Sequence, residues 1–144
     1  MPKEQAHVTI ANRNEGTMQH LLSDKSAHAE WIATVSLYRA LHIAEAILAT
    51  KGKHGKDHGD RHDELKRNYP NLWHYYRLLW SMSMIARYMR ESNDGRPGIE
   101  FTSFPDYLGD KNVEDAVVTG CLRPFEKLAK SKLSAISAKA LNIA

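Results

Sequence analysis

The chain has 144 residues and a mass of 16.3 kDa, the usual size of one compact domain with little room for a second core. Its 42% hydrophobic and 26% charged residues are ordinary for a globular protein, and its net charge of +3 permits contact with phosphates without requiring it. Residues 1–22 are polar and lack the apolar block of a secretory signal, and we expect no membrane span. Cys121 has no second cysteine to pair with, which favours a reducing, cytoplasmic location.

A long helix is predicted after the polar N-terminal segment. Ser23 and Asp24 are suitable N-caps, and Gly52 is suited to end the helix after about Thr50. Apolar residues at spacings of three or four form a core stripe: Ala33, Leu37, Leu41, Ala44 and Leu48. A second stripe mixes aromatic and polar residues: His28, Trp31, Val35, Tyr38, His42 and Glu45. Because an unpaired buried polar group costs about 1–3 kcal/mol, this second stripe predicts a pocket or a hydrogen-bonded network. The alternative is that Tyr38, His42 and Glu45 satisfy one another or lie at the solvent margin.

Two further helices are predicted around Pro70. Glycines at 52, 55 and 59 indicate a connection, with a short helix beginning near His58 or Asp60 and ending before Pro70. Proline suits a first helical turn, so the next helix begins close to Pro70 and continues until the turn-forming residues 93–98. The short connections predict helices that run antiparallel to one another.

The C-terminal third is predicted to contain one divided helix. Residues 99–111 have no helical period and indicate a packed loop, and Asn112 is a plausible cap for the helix that follows. Pro124 should kink that helix or divide it after Leu122. The prediction is therefore an all-α, antiparallel bundle of four to five helices over residues 23–131, with a helical tail at 132–144.

Three histidines four residues apart raise the question of a metal site. On one continuous helix, His54, His58 and His62 would share a face and offer three nitrogens to zinc. Gly55 and Gly59 lie between them, so the spacing favours a solvated histidine-rich loop instead. We expect no cofactor and keep the three-histidine site as the lesser alternative.

Residues 25–92 carry a familiar pattern, in the segments WIATVSLYRALHIAEAILATKGKHGKDHGDRHDEL and LWHYYRLLWSMSMIARYM. The matching positions are Tyr38, Leu41, His42, Glu45, Gly52, His58, Arg61, Ala86, Arg87 and Tyr88. In this pattern the chain resembles the HEPN superfamily of helical bundles. The resemblance implies a HEPN-like bundle that acts on or binds RNA or a nucleotide, as a homodimer.

Many HEPN members are metal-independent ribonucleases of toxin, antiviral defence or RNA-processing systems. The resemblance implies catalytic roles for His58 and Arg61, with Tyr38, His42, Glu45 and Arg87 as positioning partners. Histidine suits proton transfer near neutral pH, and arginine binds phosphate oxygens through paired hydrogen bonds.

The family's active-site motif places a histidine four to six positions after an arginine and a polar residue. Two pairs match this motif: Arg13 with His20, and Arg67 with His74. A shuffled chain of this composition would give about as many matches by chance. Arg67 and His74 therefore remain a competing catalytic pair.

Aromatic residues after Pro70 are candidates for a dimer interface. Trp73 and Trp80, or Tyr75 and Tyr76, are the candidate contact surfaces, although packing into the core is the simpler explanation. The alternative function is a noncatalytic HEPN-like module that pairs with a nucleotidyltransferase or another partner protein.

Overall fold

The structure is a computed structural model that describes residues 3–89 and 103–142. Every regular element in this part of the chain is helical, which confirms the all-α class. The elements are α1 (Glu4–Leu22), α2 (Ala29–Ala49), α3 (His58–Asn68), α4 (Pro70–Tyr88), α5 (Phe104–Leu108), a π-helix (Glu114–Leu122), α6 (Arg123–Lys130) and α7 (Ala135–Ala140).

α2 is the central helix of the fold. It packs against α1, α4, the π-helix and α6, and all five residues of its predicted core stripe are buried. By length and composition α2 would also be able to cross a membrane, but one such helix is weak evidence for a span. Of the most apolar 18 residues of α2, 78% are buried inside the protein, as expected for the core helix of a globular domain.

α1 is a helix where the sequence predicts only a polar segment, at residues 1–22, outside the bundle. This helix runs antiparallel along α2, and Val8, Ala11 and Met18 enter the common core. The buried positions have helical spacing, but two of them are polar, His7 and Glu15, which hid the stripe.

The predicted start of the long helix was wrong. Ser23 follows the end of α1 as its C-cap, and α2 begins only at Ala29. The end was predicted correctly, since α2 ends at Ala49 and Gly52 adopts a φ of +68°, which glycine tolerates best.

The predicted boundaries around Pro70 are confirmed. The side chain of Asp57 caps α3 by accepting a hydrogen bond of 2.8 Å from the backbone N–H of Asp60. Pro70 is the first residue of α4, where the missing backbone donor is not needed. α4 ends at Tyr88, before the turn-forming residues 93–98, which lie outside the described residues.

The C-terminal helix is divided as predicted. The Asn112 side chain accepts a hydrogen bond of 2.9 Å from the N–H of Asp115, and the π-helix gives way to α6 directly before Pro124. The predicted loop at 99–111 contains the short helix α5, whereas residues 99–102 lie outside the described part. In the described part of the predicted tail, residues 132–142, the helix is α7, which has six residues.

Candidate functional site

An ion pair joins α3 to the middle of the molecule. Nε of Arg61 lies 2.8 Å from Oε1 of Glu45, and both side chains are more than 90% buried. The backbone N–H of Gly55 donates to both carboxylate oxygens of Glu45, at 3.0 and 3.1 Å. A Cβ at residue 55 would stand 2.6 Å from Oε1, so this close approach requires glycine. The Glu45 carboxylate therefore holds the loop and α3 against α2.

His58 lies at the exposed edge of this ion pair. Its Nδ1 is 3.1 Å from Nη1 of Arg61, and its ring lies 4.6 Å from the ring of Trp80. A guanidinium group only donates hydrogen bonds, so Nδ1 accepts and the neutral ring carries its proton on Nε2. Partial burial lowers the pKa of His58, and the charges of Arg61 and Arg87 lower it further.

His7 and His42 form a second imidazole contact, between α1 and α2. Their Nδ1 atoms are 3.1 Å apart and their rings are stacked, so one ring donates and the other accepts. Burial lowers the pKa of both side chains, while Glu45 opposes the shift. His7 was missed in the sequence because α1 was missed; its position one turn before Ala11 on the buried face was the available signal.

His62 lies among the aromatic rings of α4. Its ring centroid is 5.1 Å from that of Trp73, 5.6 Å from Tyr76 and 4.8 Å from Trp80. Desolvation in this environment lowers the pKa of His62 to about 4 and raises that of the fully buried Tyr76 to about 12. Tyr76 therefore cannot contribute to a dimer surface, and Trp73 and Trp80 are half-buried against α3.

His54, His58 and His62, the alternative metal ligands, do not lie on one continuous helix. His54 lies in the loop before α3, while His58 and His62 are successive on α3 with ring centroids 6.4 Å apart. Among residues 3–89 and 103–142 no group of three histidine, cysteine or acidic side chains is placed to hold a metal ion.

Arg87 supplies a second guanidinium near His58. Its Nε and Nη2 donate to the backbone oxygen and hydroxyl of Ser83, both at 3.3 Å. Its guanidinium carbon lies 5.9 Å from the Trp80 ring and 5.2 Å from the Tyr88 ring. Tyr88 is 57% exposed, so Arg87 lies at the edge of the molecule.

The mixed stripe of α2 leads from solvent to the ion pair. Trp31 is 64% exposed, Tyr38 is 36% exposed, His42 is half-buried and Glu45 is 3% exposed. Of the polar side chains in this stripe, His42 contacts His7 and Glu45 pairs with Arg61, whereas Tyr38 lies at the solvent margin.

The competing pair, Arg67 and His74, is not brought together. Both side chains are exposed, and they lie on either side of the bend at Pro70, with no hydrogen bond or ring contact between them in the part described. Arg13 and His20 are likewise exposed on α1.

Arg61, Arg87, Glu45 and the four histidines together carry one positive charge in excess, and the Asp57 carboxylate also acts on His58. Glu45 neutralises Arg61, and the lowered pKa values keep His7, His42, His58 and His62 uncharged near neutral pH. Arg87 is the remaining charge, beside an exposed imidazole N–H. Such an arrangement can bind an anionic group through charge-assisted hydrogen bonds.

Comparison of this chain with protein-family models, with curated proteins and with solved structures found no match.

Proposed function

We propose that this protein is an RNA- or nucleotide-binding module with a HEPN-like bundle. Its ligand site is the surface formed by Tyr38, His42, His58, Trp80 and Arg87, called here the α2–α4 surface. The observation that carries this proposal is the hydrogen bond from Arg61 to Nδ1 of His58. It occupies the basic nitrogen of the ring and leaves Nε2–H as a donor at the exposed edge.

Arg87 supports a phosphate ligand better than Arg61 does. Arg61 is buried and already paired with Glu45, so its charge is used inside the fold. Arg87 is half-exposed and has no acidic partner among the described residues. Phosphate oxygens accept hydrogen bonds from both arginine and an imidazole N–H, so Arg87 and His58 suit the same ligand.

The exposed aromatic residues of α2 support a ligand that contains unstacked bases. Trp31 and Tyr38 lie seven residues apart on one helix face that continues to His42. Aromatic side chains bind single-stranded RNA by stacking, which contributes about 1–3 kcal/mol per base. A strand bound along α2 would place its bases on Trp31 and Tyr38 and a phosphate near Arg87.

Binding of a labelled single-stranded RNA, followed by fluorescence anisotropy in EDTA, tests the proposal. We expect Arg87→Ala and His58→Ala to weaken binding by about tenfold each, the effect of roughly 1.4 kcal/mol. The matched controls are Arg77→Ala, an exposed arginine on the same helix, and His74→Ala, an exposed histidine. RNA that does not bind, or that binds all four variants equally, contradicts the proposed site.

The same samples distinguish binding from cleavage. RNA that stays intact is expected for a binding module. Cleavage in EDTA that His58→Ala abolishes supports the metal-independent ribonuclease that the resemblance implies, and requires His58 to release Arg61. Cleavage lost in His74→Ala instead supports the pair of Arg67 and His74.

A further inference from the structure

A cavity of about 360 Å³ lies on the opposite side of α4 from the histidine cluster. Its walls come from α4, α5, the π-helix and the loop before the π-helix. The residues that matter here are Arg77, Met82, Leu108, Lys111, Ala116 and Cys121. The volume falls within the range of about 300–1,000 Å³ that is typical of sites for small molecules.

The cavity has an apolar floor and a cationic rim. Met82 and Cys121 are each 6% exposed and lie at the bottom, whereas Arg77 and Lys111 are exposed. No acidic side chain is among the described lining residues, and neither cation has an ion-pair partner in the described part of the chain. A ligand that matches these walls has an apolar body and a negative end.

The π-helix shapes the floor of the cavity. The Cys121 thiol donates to the carbonyl oxygen of Ala116, five residues earlier, with a distance of 3.6 Å from Sγ to oxygen. Burial raises the pKa of the Cys121 thiol, while the charge of Lys111 lowers it. The ammonium group of Lys111 at the rim is therefore close enough to affect Cys121 at the bottom of the cavity. Widened π turns are frequent at functional sites.

We propose that this cavity binds a small amphipathic carboxylate of the medium-chain fatty acid class. The alkyl chain lies against Met82 and Cys121, and the carboxylate pairs with Arg77 and Lys111. The lining also includes Ser81 and Tyr107, which are polar but uncharged, so the two cations are the only charged groups among the described lining residues. They select an anion over a neutral or cationic ligand of the same size. This site is independent of the proposed RNA-binding surface.

Isothermal titration of the full chain with octanoate tests the proposal. We expect saturable binding to the wild type and at least tenfold weaker binding to the double variant Arg77→Gln/Lys111→Gln. The control is Arg67→Gln/Lys130→Gln, which removes two exposed charges far from the cavity lining and should bind octanoate like the wild type. Octanol, which lacks the charge, should bind the wild type weakly.

A second measurement locates the bound probe. The methyl NMR signal of Met82, assigned with Met82→Leu, should shift on addition of octanoate, whereas the signal of Met18 in the core between α1 and α2 should not. Octanoate that fails to bind, that binds both double variants alike, or that leaves the Met82 signal unmoved overturns the proposal.

Discussion

α2 contributes one residue to each of two separate arginine–glutamate clusters, Arg39 to one and Glu45 to the other, and the two clusters differ in how far they are enclosed. The enclosed cluster contains Arg39, Glu15, Glu126 and Arg123, whereas the open cluster contains Glu45 and Arg61 with their surrounding histidines. In the enclosed cluster Arg39 is fully buried and donates to Glu126 and to the backbone oxygens of Ala11 and Asn142. Arg123 pairs with Glu15 at 2.8 Å and with Glu126 at 2.9 Å.

The difference lies in what remains unpaired. Two arginines and two glutamates balance in the enclosed cluster, and their hydrogen bonds tie α1, α2, α6 and the C-terminal end together. In the open cluster the ion pair is also balanced, but His58 and Arg87 keep donors at the surface. Complete pairing indicates a structural role, whereas exposed donors beside a buried pair indicate a place for a ligand.

The largest effect is expected from breaking the enclosed cluster. Arg39→Met leaves Glu15 and Glu126 buried with a single cation, so the free energy of unfolding should fall by about 3–5 kcal/mol. Urea denaturation measures this change. The double variant Arg39→Met/Glu126→Met removes one charge of each sign and should recover part of the loss.

A matched control exists at the surface. Lys25→Met breaks the exposed ion pair with Glu114 and should change the free energy of unfolding by less than about 1 kcal/mol. Equal losses for Lys25→Met and Arg39→Met would show that burial does not distinguish the two pairs.

A methyl group at residue 55 tests the packing of the open cluster. In Gly55→Ala the new Cβ meets Oε1 of Glu45 at 2.6 Å and Cβ of Arg61 at 3.0 Å, so we expect a loss of about 1–3 kcal/mol in urea denaturation. Gly16→Ala is the control, because nothing lies within 4 Å in the middle of α1; it should stabilise by about 0.5–1 kcal/mol. A stabilised Gly55→Ala variant would disprove the close approach.

Acid should weaken the histidine side of the molecule first. The pKa values of His7, His42, His58 and His62 lie below the ordinary 6.5, so the unfolded chain binds protons before the folded chain does. Their contribution to stability is complete above pH 6.5 and decreases below it, and the contribution of His62 continues to decrease until its pKa of about 4. We expect His62 alone to contribute a slope of roughly 1 kcal/mol per pH unit between pH 6.5 and 4.

Glu15 and His62 allow the acid sensitivity of the histidines to be distinguished from that of the enclosed cluster. Desolvation raises the pKa of the Glu15 carboxyl, but hydrogen bonds from Arg123 and Gln19 outweigh it and lower that pKa below 4.5. The contribution of Glu15 is therefore complete above pH 4.5 and is lost only as the pH falls below that value. His62→Leu should flatten the slope between pH 6.5 and 4, and His74→Gln, at an exposed position, should not. An unchanged slope in His62→Leu would assign the acid sensitivity elsewhere.

The smallest change in stability is expected at Trp31. Because the side chain is 64% exposed, Trp31→Ser should alter the free energy of unfolding by less than about 0.5 kcal/mol. The same variant should weaken binding of single-stranded RNA by several-fold if bases stack on α2. Ile136→Ser, at a 68% exposed residue of α7, controls for loss of exposed apolar surface and should leave RNA binding unchanged.

Local signals were enough to predict much of the fold. Gly52 and Pro70 marked boundaries correctly because their backbone constraints act within a few residues. The spacing of three between His58 and Arg61 placed both on one side of α3, where they are hydrogen-bonded. Local signals failed for α1, because His7 and Glu15 on its buried face are polar and their partners come from other helices.

The amino-acid sequence by itself determined the helical class, the apolar core stripe of α2 and the alignment of Tyr38, His42 and Glu45 on one face. These features follow from spacing along one helix, which is visible in a single segment. Only the tertiary structure decided that Glu45 pairs with Arg61, that His7 joins His42, and that Arg39 is enclosed while Arg87 stays at the surface. Pairing of charges between helices depends on their packing, and one buried charge requires a partner that can lie anywhere in the chain.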